Sequence, residues 1–190
     1  MSGQVLNSRI LSDREKWFAC TLNASETGIM IGEILPYVDK TGSAFRIGEC
    51  GEEHTADLQE MYDTFSPKAI SQGLPPANDK IRYDWVRRML DRGINFAAWM
   101  ESKIVGHSAL ICDLDKRDGE YIIFVTAAYR NRGLGSELTR MTVDKARNMG
   151  LTTLWLTVES YNFRAIHVYR KVGFAFCDEG ELERTMILCL

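Results

Sequence analysis

Val125-Thr126-Ala127-Ala128-Tyr129-Arg130-Asn131-Arg132-Gly133-Leu134-Gly135-Ser136 joins an apolar run ahead of it to a helical pattern behind it, and that junction decides how the chain is read. The run before it, residues 120–126 (EYIIFVT), is rich in β-branched and aromatic residues and predicts a strand. Residues 134–149 carry the pattern of a helix. Gly133 and Gly135 lack Cβ atoms, so the backbone between strand and helix can turn tightly and expose successive N–H groups where the helix dipole favours an anion. Arg130 and Arg132 add two cationic side chains beside those donors. A phosphate or pyrophosphate suits such a turn; a plain surface turn entering a helix is the alternative. Two other phosphate fingerprints fail on the residues. The dinucleotide pattern needs Gly or Ala where Leu138 stands, and the mononucleotide loop needs a Gly-Lys-Ser/Thr that is absent.

Working outward, residues 153–158 predict a strand, Phe163–Val172 a helix, and residues 174–177 and 185–190 two terminal strands. Upstream, the apolar runs 95–100 and 104–112 are separated only by Glu101-Ser102-Lys103, the length of a hairpin connection. Ala44–Cys50 (AFRIGEC) predicts another strand, and Leu58, Met61, Tyr62 and Phe65 recur at helical spacing. A loop over 66–78, broken by Gly73, Pro75 and Pro76, leads to a helix capped by Asn78 or Asp79 that carries Ile81, Trp85, Met89 and Leu90 and stops before Gly93. Residues 27–38 suit a strand or hairpin. The expected architecture is α/β (α+β): a mixed, mostly antiparallel sheet with helices on both faces over residues 44–190, preceded by an extension over 1–43.

Composition narrows the class. The chain has 190 residues, 45% of them hydrophobic and 26% charged, enough for one domain of ordinary size. Its longest stretch free of Asp, Glu, Lys and Arg is residues 148–158, too short for a membrane span. A net charge of −3 does not suggest a nucleic-acid binder, and Arg140, Lys145 and Arg147 read as a solvated helix face. Cys20, Cys50, Cys112, Cys177 and Cys189 are odd in number and scattered, without metal-ligand spacing, and charges interrupt the first seventeen residues where an export signal needs an apolar core. The expectation is a cytoplasmic protein with reduced thiols and no metal. His107 and Cys112 have opposite parity on one strand, which argues against a Cys-His pair built within it.

At this point the residues carry a resemblance. The run from Val125 to Gly135 is similar to motif A of the GNAT superfamily of N-acetyltransferases, V-x-P-x-x-(Q/R)-x-x-G-x-(G/A), departing at Ala127 where Pro is common. Asn162-Phe163-Arg164-Ala165-Ile166-His167-Val168-Tyr169-Arg170-Lys171-Val172-Gly173-Phe174 resembles the same family's motif B, N-x-x-A-x-x-x-Y-x-x-x-G-F. The resemblance implies acetyl-CoA as co-substrate, held by Phe124, Val125 and Ala127 at the strand end and by Arg130, Asn131, Arg132, Gly133, Leu134, Gly135 and Ser136 in the turn. Asn162 would bond the pantetheine arm or a buried backbone group.

The resemblance also implies chemistry. Tyr169 would protonate the leaving thiolate, and phenol and thiol reference pKa values of about 10 and 8.5 are close enough for that transfer. The Val125 N–H would polarise the thioester carbonyl. A lysine-like amine is neutral about once in 2,500 molecules at pH 7, equivalent to roughly 4.6 kcal/mol, so a base or a desolvating pocket contributes materially. Ribosomal-protein alanine acetyltransferases of the family carry a Glu where Thr157 stands here. Glu120 instead precedes Val125 by five residues, as a Glu does in Pat-type protein-lysine acetyltransferases, although strand alternation puts the two on opposite faces unless a bulge intervenes. Glu159 is a second candidate base. Asp178, Glu179, Glu181 and Glu183 suggest a rim attractive to a cationic acceptor. Tyr62-Asp63-Thr64-Phe65-Ser66-Pro67 resembles the Pat type and points to a protein lysine; a polyamine or another small amine suits the same rim. A non-catalytic acyl-CoA-binding regulatory module keeps the fold without the reaction, and an interaction protein keeps only the turn.

Overall fold

The computed structural model describes residues 34–68 and 74–190, so the expected strand or hairpin over 27–38 falls partly outside the described residues, as does the middle of the loop over 66–78. In chain order come β1 (Leu35–Val38), β2 (Ala44–Cys50), a 3-10 turn (Glu52–His54), α1 (Thr55–Thr64), α2 (Asp79–Arg92), β3 (Gly93–Met100), β4 (Lys103–Asp113) and β5 (Asp118–Val125). A second 3-10 turn (Ala127–Tyr129) leads into α3 (Leu134–Asn148), followed by β6 (Thr153–Glu159), α4 (Phe163–Val172), β7 (Ala175–Phe176) and β8 (Glu183–Cys189). The described strands form one sheet in the order β1-β2-β3-β4-β5-β6-β8-β7. Every neighbouring pair is antiparallel except β5–β6, which is parallel and is reached through the crossover helix α3.

Strand alternation sends the helices to opposite faces. Phe124 of β5 packs edge-on against Tyr62 of α1 and Trp85 of α2. Tyr121, three residues earlier and of opposite parity, meets Thr139 of α3 and the ring of Tyr169 on α4. α1 and α2 therefore cover one face, and α3 and α4 the other. Between the first pair and the sheet runs a buried polar chain. The Asn95 amide donates to the carbonyls of Met89 (2.9 Å) and Gly93 (2.8 Å), which leaves its oxygen to accept from His107 Nε2 at 3.1 Å. Nδ1 of His107 must then accept from the Tyr62 hydroxyl at 2.6 Å. Burial pushes this imidazole down to about 3, so the link is neutral at physiological pH.

Three expectations change. The buried stripe of α2 is Arg82, Val86, Met89 and Leu90, with Trp85 partly buried against the same core; of the predicted set Ile81 alone is exposed. An arginine can be buried here because its guanidinium is fully engaged: with Asp63 (2.9 and 2.5 Å), with Asp79 (2.8 Å) and with the carbonyls of Pro76 and Ala77. The strand expected at 174–177 shortens to Ala175–Phe176, while the last strand begins at Glu183, ahead of its predicted start, because it pairs with the whole of β6. Finally, among the described residues the sheet starts at Leu35, ahead of the expected boundary at 44. β1 forms a hairpin with β2, closed by Asp39 Oδ1 accepting from the N–H groups of Thr41 (2.8 Å) and Ser43 (2.9 Å).

Candidate active site

The parallel pairing of β5 with β6 lasts only from Asp118↔Thr153 to Glu120↔Trp155, while both strands continue beyond it. From Tyr121 and Leu156 onward they splay, leaving a wedge between two strand edges. The Thr126 N–H donates to Val105 O of β4 at 3.0 Å. Because successive backbone groups of a strand alternate sides, the Val125 N–H points the other way, into the wedge. Tyr169 packs on the α3/α4 face beside the point of splay, its ring 6.2 Å from that of Tyr121, the first β5 residue past the pairing. Burial raises its phenol, which therefore stays protonated across the physiological range.

Beyond Val125 the chain makes its turn and enters α3. Gly133 is the N-cap in a left-handed conformation, φ 90°, and no side chain caps the helix. The first helical bond runs from Glu137 N to Gly133 O, so the N–H groups of Leu134, Gly135 and Ser136 precede the helical ladder. The turn is tied to the sheet beneath it. Tyr121 donates to Thr139 Oγ1 (2.8 Å), which donates to Gly135 O (2.6 Å). The two glycines serve different ends. A Cβ at Gly133 would overlap the Tyr37 hydroxyl, whereas one at Gly135 would meet nothing closer than Val125 Cγ2 at 3.9 Å. A Cβ at 135 would rest in ordinary contact with the Val125 and Ile123 side chains of β5, so no protein atom requires glycine there.

The remaining residues expected at a coenzyme site divide. Val125, Gly133, Gly135 and Ser136 gather at the wedge and turn. Leu134 and Phe124 send their side chains into the core, so only their backbones face the site. Ala127 and Asn131 are exposed, Asn131 with φ 61°. Arg130 donates to Val125 O (2.9 Å) and lies over the Phe65 ring at 5.7 Å; Arg132 pairs with Asp39 at 3.3 Å. Asn162 is the exposed N-cap of α4, its Oδ1 accepting from Ala165 N at 3.3 Å, so its side chain serves its own helix instead of a buried backbone group.

On the α1/α2 face, strand register places a row of carboxylates beside the wedge. No register shift interrupts the β4–β5 pairing, so Glu120 lies opposite in face to Val125. It shares its face with Trp155, its parallel neighbour, and hence with Thr157 and Glu159 further along β6. Across β8, Glu159 stands directly opposite Glu183. Desolvation raises the half-buried Glu120 carboxyl, the direction that strengthens it as a base. The bond to Glu159, partial burial and the nearby Glu183 charge together raise the Tyr161 phenol. Asp178, expected in an acidic rim, is engaged otherwise: it accepts from Thr185 N at 2.6 Å and pairs with Arg184 at 3.6 Å. The opposed Glu159–Glu183 pair escaped sequence reading because nothing local encodes the register between β6 and β8.

The chain belongs to the acetyltransferase (GNAT) family, whose model matches residues 56–174. A streptothricin acetyltransferase of Streptomyces lavendulae is 47% identical over 55 residues, covering 29% of each chain. A spermidine N(1)-acetyltransferase of Escherichia coli K12 is 36% identical over 67 residues, 35% of each. The matching segments thus span about a third of these relatives. Among solved structures, the GNAT domain of S. lividans PAT superposes with a TM-score of 0.72 at 15% identity, covering 83% of this chain and 97% of that one, which is a likeness of fold. Among the described residues no helix is long and apolar enough to cross a membrane.

Proposed function

We propose that the protein transfers an acetyl group from acetyl-CoA to the primary amine of a small, multiply charged cation. One arrangement supports the transferase reading: the strand wedge opens at Tyr121, which is tied through Thr139 to the uncapped N-terminus of α3 and lies against the ring of Tyr169. In this reading pyrophosphate rests on the N–H groups before α3, and the pantetheine arm adds to the open edge of β5. Glu120 takes a proton from the ammonium form of the acceptor. The neutral amine attacks the thioester carbonyl, whose oxygen is met by the Val125 N–H. As the C–S bond breaks, the thiolate takes a proton from Tyr169 and the new amide nitrogen loses its second proton to solvent.

The multiply charged acceptor is supported by Glu159 and Glu183. Like charges directly opposite on antiparallel strands destabilise the pair, and a cationic nitrogen between them offsets that cost. With Glu120 on the same face, the site suits two cationic nitrogens at once. The name of the spermidine N(1)-acetyltransferase relative supports this reading, since spermidine is a polyamine. A protein lysine, carrying one charge, leaves part of this acidic row without a counter-ion. Turnover of polyamines should exceed that of monoamines, and Glu159→Gln or Glu183→Gln should raise the polyamine KM by about two- to fivefold each, as expected for exposed ion pairs. Mass spectrometry of a lysate incubated with acetyl-CoA provides the contrast. New acetyl-lysine sites without polyamine turnover would overturn the small-molecule reading, and coenzyme binding without any amine turnover would favour a regulatory module.

The base assignment has its own signature. A carboxyl with a raised pKa is protonated at low pH and works as a base only above that value, so kcat/KM should fall as pH drops through it. Glu120→Gln should remove this limb and leave a rate that climbs only as the amine itself deprotonates at higher pH. An unchanged profile in the folded variant would move the role to Glu159 or to water.

A further inference from the structure

The hairpin β1–β2 lies outside the wedge and outside the helices, yet it is built onto the glycine turn. The Tyr37 hydroxyl donates to the Arg132 carbonyl at 3.1 Å across 95 residues of sequence. Arg132 Nη1 reaches back to Asp39 Oδ2 at 3.3 Å and Ser43 Oγ at 3.2 Å, and its guanidinium lies over the Tyr129 ring at 5.4 Å. Tyr129 in turn meets Phe45 of β2 edge-on at 6.0 Å, and Phe45 meets Tyr37 at 6.4 Å. The residue before Gly133 is thus gripped at its carbonyl and at its side chain, and Gly133 itself is in contact with the Tyr37 hydroxyl.

We infer that Tyr37 and Asp39 are positioning residues for the coenzyme: they clamp the Arg132-Gly133 backbone so that the N–H groups ahead of α3 are aligned before acetyl-CoA arrives. A glycine-rich turn with no side-chain cap has a large conformational entropy to lose on binding, and a clamp that removes it beforehand improves affinity. The Asp39 side chain is shielded from solvent. Desolvation opposes its charge, but bonds from Thr41, Ser43 and Arg132 hold its carboxyl below the usual carboxylate range, so the ion pair persists at physiological pH. Burial and the charges of Glu137 and Asp39 raise the Tyr37 phenol and keep it a donor. Arg132 accordingly serves through its backbone; its charge is neutralised by Asp39 instead of being offered to a phosphate.

The inference rests on the coenzyme reading above, and the test separates the two. Tyr37→Phe keeps the ring against Phe45 and deletes only the donor. Asp39→Asn keeps an oxygen to accept from Thr41 and Ser43 and deletes the charge. Each variant should raise the Kd and KM for acetyl-CoA by about three- to tenfold, the scale of one hydrogen bond or hydrogen-bonded ion pair. Acceptor KM and kcat at saturating acetyl-CoA should be unchanged. Without coenzyme, amide hydrogen exchange over residues 132–136 should quicken in both variants while that of β3 and β4 stays as in the parent. Unchanged acetyl-CoA affinity in both folded variants, tighter binding by Asp39→Asn through a released Arg132, or an equal fall in kcat and both KM-dependent rates would overturn the clamp. If the parent protein fails to bind acetyl-CoA, the coenzyme reading falls with the affinity claim, and unaltered exchange over 132–136 would then remove the clamp as well.

Discussion

Gly135→Glu should abolish acetyl-CoA binding and leave the fold intact. A Cβ at this position meets no protein atom closer than 3.9 Å, and the residue lies in the first turn of α3, where a carboxylate interacts favourably with the helix dipole. Thermal unfolding should therefore shift little. The new side chain would occupy the approach to the Leu134, Gly135 and Ser136 donors and set a negative charge where pyrophosphate must rest. Calorimetric titration should give no detectable heat, a loss of at least about 10³-fold if two or more charge-assisted bonds are forfeited. Undiminished affinity in the folded variant would remove the turn from the coenzyme site. Gly133 makes a telling comparison, because any side chain there meets both a left-handed backbone and the Tyr37 hydroxyl, so its substitution reports on folding before it reports on binding.

Tyr169→Phe should lower kcat by about 10²-fold, the lower end of general-acid contributions, with little change in acetyl-CoA affinity. The ring lies against Tyr121 and Phe174 and is retained in the variant, so packing survives. Only the proton needed as thiolate charge develops is lost. Because burial raises the phenol, no limb in the neutral pH range should be assignable to Tyr169, and the acid limb ascribed to Glu120 should persist in the variant. A parental rate would return Tyr169 to a purely packing role, and a loss expressed only in acetyl-CoA affinity would make it a binding residue.

How much of this was legible beforehand varies with the distance over which a feature is encoded. The boundaries of α4 follow from its own residues: Asn162 as cap, Ile166 and Tyr169 one turn apart on the buried side, and Gly173 in the left-handed conformation after the last turn. α2 illustrates the limit. Hydrophobic period chose Ile81, Trp85, Met89 and Leu90 for its inner face; all but Ile81 pack inward, and Arg82 is buried where Ile81 is not because Asp63, on another helix, supplies a counter-ion that no local pattern reveals. The arginines of the turn follow the same rule. Their place in the glycine turn was readable from the sequence, whereas their engagement with Phe65, Val125 and Asp39 depends on which elements fold against the turn.

By itself, then, the sequence determined the elements, the glycine turn at the head of α3 and the tyrosine one helix later, since dihedral freedom, helical period and capping are properties of adjacent residues. Tertiary structure alone decided how far β5 and β6 remain paired before they splay, that Glu159 faces Glu183, and that Tyr37 and Asp39 grip Arg132 from more than ninety residues away. The physical reason is strand register. A shift of one residue reverses every side chain of a strand, and register is set by packing across the whole sheet, so it is not written in any one segment.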